Sequence, residues 1–229
     1  MLQEFLTTVV ISTVMAASAS AAPPYNPYSD ASANSIYNLL FCDAVAEFRH
    51  KSGEMPAHWQ SVLEAEPADL AALRALADDD LQEGRVRYLA YAKLRRLGEP
   101  VPAKRLLGVI VEVPLPGGLD VLAAYAEGGV RYINQTGKLA FYERVESLHP
   151  PVQRLLSASW PVVARIGPTN QPRRPPPRGE NVRITFLASD GFYFGEGEMK
   201  TMQQDALAGP VIQRAVELLQ AAVAVVPKK

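Results

Sequence analysis

Glu112 and Asp120 are the first residues of this chain whose types and spacing suggest chemistry. They flank PLPGG, a turn-forming stretch, so a hairpin folded there sets the two carboxylates across from one another. In such a pair the pKa of one carboxyl rises until it can act as an acid, or both share a divalent cation. The plainer reading leaves both in water at a strand end, screened and harmless. It is favoured because no third ligand falls within the pattern.

A second constellation lies in VRITFLASDGFYFGEGE, residues 182–198. Asp190-Gly191 is a strong reversal signal. Gly195 and Gly197 leave little side-chain cover, so Tyr193, Glu196 and Glu198 could offer a ring and two acceptors to a ligand or another backbone. Against this, glycine in a strand more commonly marks a bulge, here packed against the closing helix. These five residues are the binding candidates; none is assigned a catalytic or metal-ligating role.

Several common chemistries are excluded. Cys42 is the sole cysteine, so no intrachain disulfide and no multi-cysteine metal site can form. Its setting, LLFCDAV, reads as an apolar helix face where a thiol is inert. His50, His58 and His149 lack the spacing that puts two imidazoles on one helix face. The chain has no nucleophile elbow, no Walker loop and no complete dinucleotide fingerprint. No cofactor is expected. The formal net charge is −1, with aromatics in apolar runs rather than among basic residues, which speaks against nucleic acid. Asn134 sits at a loop edge, where its side chain is expected to bond local backbone.

The elements that must position these residues follow from period and punctuation. Residues 1–34 read as a flexible or targeting segment. Residues 1–21 have an apolar stretch and small-residue cleavage patterns but no basic start, too polar for a firm membrane span. The cytoplasm is favoured, with export if this segment is a cleaved leader. Residues 35–229 read as a single α+β domain. Within it, 35–98 is helical, 104–143 an antiparallel meander, 147–166 a helix that Pro161 kinks or splits, and 182–226 a hairpin with closing helices. The segment 167–179, GPTNQPRRPPPRG, reads as an exposed, stiff connector. The clearest helix, 80–97, is expected to be capped by Asp80 and stopped by Gly98.

Turn chemistry also proposes a register. A Gly128-Gly129 loop sets Tyr125 across from Tyr132, and a loop at 134–137 pairs Ile133 with Lys138. The five-residue PLPGG loop pairs Val113 with Leu119. This register sends nearly every charged strand residue to one outer, wetter face and the apolar ones inward.

The fold class expected is therefore α+β, with an antiparallel sheet of about five to six strands packed by N-terminal and C-terminal helices. Two functions stay open. The first is a non-catalytic binding or accessory protein, compatible with a protein partner and using the glycine-rich hairpin or the outer sheet face. The second is a small carboxylate-based hydrolase or metal-dependent enzyme. The first is preferred because no acid–base–nucleophile set assembles at recognisable spacing. Oligomeric state is not encoded in any of these patterns.

Overall fold

The computed structural model describes residues 24–43 and 45–225. The leader expected at 1–21 therefore lies outside the described residues. Among the described residues, four helices come first: α1 (Ala31–Leu39), α2 (His58–Glu64), α3 (Leu70–Asp78) and α4 (Gly84–Arg96). Asp30 and Asp69 cap α1 and α3, their carboxylates accepting from Ala33 N at 2.7 Å and Ala72 N at 3.0 Å. The apolar run expected to continue α1 is broken at Cys42, which has φ +58°, and a 3₁₀ turn at Val45–Phe48 follows. The helix expected from residue 80 begins at Gly84, because Asp80 is taken up by ion pairs to Arg87 and Arg105, both at 2.8 Å. Gly98, at φ +77°, follows its end.

A six-stranded antiparallel sheet follows in the order β4-β3-β2-β1-β5-β6. The meander is β1 (Leu106–Leu115), β2 (Gly118–Tyr125), β3 (Val130–Ile133) and β4 (Leu139–Tyr142). Helix α5 (His149–Arg165) passes through Pro161 without being split, the proline standing on its exposed side. The hairpin β5 (Asn181–Ala188) and β6 (Gly191–Glu198) then extends the sheet at β1. Helices α6 (Met199–Gln204) and α7 (Ala208–Ala224) close the chain. Among the described residues no helix is long and apolar enough to cross a membrane.

Both faces of the sheet are covered. Leu119, Val121, Ala123, Tyr125 and Ile133 pack with α1–α4, and Val109, Val111, Leu122, Ile184 and Phe186 pack with α5–α7. The expected division into an oily inner face and a wet outer face is thus corrected.

The register is corrected with it. Pro116 and Gly117 alone close the first turn, Leu115 pairing with Gly118, so Val113 lies opposite Asp120 rather than Leu119. A proline followed by a glycine at φ +86° is the signature of a type II turn. In the second turn, Tyr125 N donates to Gly129 O and Gly128 N to Tyr125 O, both at 2.9 Å. Gly128, at φ +99°, ends a three-residue loop. Tyr132 then pairs with Leu122, not Tyr125. In the third, Ile133 pairs with Leu139 rather than Lys138. Each slip is an odd number of residues, and an odd slip moves side chains to the opposite face. Tyr125 faces α1–α4 and Tyr132 faces α5–α7. The sorting of charges that supported the expected register has no force where helices cover both sides and charges are buried in pairs.

Candidate functional site

The register separates the first pair of candidates. Glu112 lies opposite Val121 and points toward α1, whereas Asp120 points to the other face. There Asp120 accepts from Tyr132 Oη at 2.9 Å and from Gln135 N at 2.6 Å, and the Tyr132 phenol is pushed up to about 12, chiefly by burial. The second set divides likewise, because neighbours along a strand alternate. Tyr193 is fully buried in the core on the α5–α7 side and donates to Asp190 at 2.9 Å. Glu196 points to the α1 side, and Glu198 is exposed where β6 passes into α6.

Two of the candidates do come together. Arg183 of β5 is the cross-strand partner of Glu112, its Nη1 lying 3.6 Å from Glu112 Oε2, and it donates to Glu196 Oε2 from Nε at 3.0 Å and Nη2 at 2.9 Å. Tyr37 of α1 donates to Glu112 Oε1 at 2.6 Å. Burial pushes the Glu112 carboxyl above the usual range, against the opposing pull of Arg183, Tyr37 and Arg173. Beside it, Arg173 is only 5% exposed, a buried exception in the segment 167–179, which is otherwise mostly exposed as expected. Among the described residues, Glu112 Oε2, Arg173 Nη1, Asp43 Oδ1 and Thr185 Oγ1 on this side of the sheet are buried without a hydrogen-bond partner. Local sequence carries no sign of the cluster, since its members lie on α1 and the residues just after it, on β1, β5 and β6, and in the Pro/Arg segment.

Cys42 is buried and its thiol pKa is pushed up by that burial, which keeps it an unreactive thiol. Asn134 behaves as expected, its Oδ1 accepting from Thr136 N and Lys138 N, both at 3.0 Å.

A site that sequence reasoning missed forms where three connections converge at one end of the sheet. The α3–α4 loop brings Asp80 and Leu81, the β2–β3 loop Glu127 and Gly128, and the β4–α5 connection Arg144, Val145 and Glu146, with His149 at the start of α5. They enclose a cleft of about 530 Å³. Leu81 is 74% exposed at its mouth. Arg144 adopts φ +50° and donates to Leu81 O. Glu127 Oε2 accepts from Gly84 N at 2.7 Å, satisfying an N–H at the start of α4, while Oε1 is buried with no hydrogen-bond partner. Burial pushes the Glu127 carboxyl upward against the backbone N–H groups that favour its charge. The ring of His149 lies 3.4 Å from where a Cβ on Gly128 would stand. The only local hint was an acid within a glycine-marked turn, and nothing near it points to a helix start 43 residues earlier.

No family model, no curated protein and no solved structure matches this chain.

Proposed function

We propose that this chain is a non-catalytic binding protein that takes a small cationic group, carried on a short apolar body, in the cleft beside Glu127 and His149. The observation that carries the reading is the desolvated Glu127 carboxyl, with one oxygen unpartnered, in the wall of an open cleft. With Asp80 engaged by Arg87 and Arg105, Glu127 and Glu146 still outnumber Arg144, and Leu81, Val145 and Pro150 supply apolar wall. A ligand ammonium in the cleft would place a counter-charge beside this desolvated carboxyl. Non-catalytic action is preferred because Glu127 is also committed to α4, whose start it holds. The carboxylate-enzyme reading keeps one observation in its favour, a raised carboxyl and an imidazole lining the same cleft.

Titration of the full chain with benzylamine, benzyl alcohol and benzoate, followed by NMR of the histidine rings, tests the proposal. Benzylamine is expected to shift the His149 signals most. Glu127→Gln, which keeps an acceptor for Gly84, should weaken that binding by roughly tenfold. Equal binding of all three probes, or an unchanged affinity in Glu127→Gln, overturns it.

A further inference from the structure

The segment 167–179 is held in a manner that a plain connector does not require. Gln171, Arg174, Pro175 and Pro176 each precede a proline, which restricts them to extended or polyproline II backbone. Such backbone makes no internal hydrogen bonds and leaves its carbonyls available. Three consecutive carbonyls are taken by side chains of the body. Tyr25 Oη donates to Arg173 O at 2.9 Å, and Arg183 donates from Nη1 to Arg174 O at 3.1 Å and from Nη2 to Pro175 O at 2.7 Å. These bonds read backbone, whatever side chains it carries.

Selectivity rests on one side chain. Between the exposed Pro172 and Arg174, Arg173 enters an aromatic cage, its guanidinium carbon 4.2 Å from the Phe41 ring centre, 4.9 Å from Tyr25 and 5.3 Å from Tyr37. Its Nε donates to Asp43 Oδ2 at 2.7 Å and its Nη2 to Asn38 Oδ1 at 2.9 Å. Backbone carbonyls read along an extended segment, with one anchoring side chain in an aromatic pocket, is how folded domains recognise proline-rich peptides.

The internal fit is incomplete. Arg173 Nη1 and Asp43 Oδ1 are both buried and unpartnered, so the carboxylate meets one N–H instead of the two-pronged fork that arginine and carboxylate can form. The segment is tethered to α5 and β5, which constrain where its arginine can sit; a separate peptide has no such constraint. Between Gly167 and Arg178 its only β pairing is the single bridge Thr169–Phe192, so releasing it unravels no helix or strand. A cleft of about 410 Å³ bounded by Tyr25, Pro27, Leu119, Pro176 and Arg178 leaves room alongside for an incoming chain.

We infer that the cage of Tyr25, Tyr37, Phe41 and Asp43 is a docking site for an arginine-bearing polyproline segment of a partner protein. Residues 171–178 occupy it in cis until such a segment displaces them.

The test uses the full chain and a labelled synthetic peptide, QPRRPPPR. Arg173→Ala empties the cage and is expected to bind the peptide at least about tenfold more tightly than the unsubstituted chain, whose tethered segment competes at high effective concentration. A peptide with citrulline at its third position should not bind. Failure of a folded Arg173→Ala chain to bind, or equal binding of the citrulline peptide, overturns the inference. If Arg173→Ala does not fold, millimolar peptide added to the unsubstituted chain decides the matter. Shifted Tyr37 ring signals support displacement, and unmoved ones overturn it. A dimer of the unsubstituted chain that disappears in Arg173→Ala would assign the groove to exchanged segments of a second copy, and so overturn the partner reading.

Discussion

On the face covered by α5–α7, β1 and β5 present Val109, Val111, Ile184 and Phe186; on the face covered by α1–α4 the same two strands present Glu112, Arg183 and Thr185 beside Ile110 and Leu187. The first is a core of aliphatic and aromatic side chains in which Ser159, a buried polar residue of α5, bonds back to Leu155 O at 2.8 Å. The second also buries Arg87, Lys93, Arg131 and Arg173, each held by a named partner. Burying a charge costs several kcal/mol unless it is paired and hydrogen-bonded. The two faces therefore respond to substitution by different rules: the aliphatic one tracks volume, and the charged one tracks whether a partner is left alone.

The largest expected effect comes from leaving a partner alone. Arg183→Met strips Glu112 of its nearest counter-charge and frees two carbonyls of the Pro/Arg segment, a loss of about 3–5 kcal/mol in urea unfolding. Adding Glu112→Leu should return part of it, because the fully buried carboxylate is then gone and only the more exposed Glu196 has lost its partner, with a coupling of about 0.5–3 kcal/mol. Strictly additive losses would erase the distinction between the faces.

A smaller effect concerns pH. Glu112 and Glu127 both have folded-state pKa values raised by burial, so the folded chain holds those protons longer than the unfolded chain does. The stability they contribute is complete below the unfolded value, about 4.3, and is lost as pH climbs through the raised folded values. Glu112→Gln should flatten that decline, measured as urea midpoints at several pH values. A steeper decline in the variant would show that the charged form is the favoured one in place.

The smallest expected effect sharpens the comparison at its edge. Asp30→Ala removes the cap of α1, the helix that carries Tyr37 and Asn38 into the cluster, at a cost of about 1 kcal/mol. If the cluster depends on α1 being held in place, the Tyr37 ring signals should broaden as well. A stability loss with sharp, unmoved Tyr37 signals would separate the cap from the cluster.

The turns show how much could be read in advance. Each reversal was legible from its glycines, since Gly117, Gly128, Gly137 and Gly191 all take positive φ. Loop length was not, and the difference between a Gly128-Gly129 loop and one ending at Gly128 moved Tyr132 to the other layer. The burial of Arg173 has a related cause: a proline-rich, arginine-bearing stretch is normally solvated, and this arginine's pocket comes from residues at 25–43, far away in the chain. The Glu127 cleft was invisible because three connections build it and none is distinctive alone.

Element type and the antiparallel meander followed from the order of residues, because helix period, strand alternation and turn glycines act over a few neighbours. Which side chains share a layer, which charges are buried together, and where the Pro/Arg segment lies depended on the packed whole. Those outcomes turn on desolvation, and a residue loses its water only when distant parts of the chain close over it.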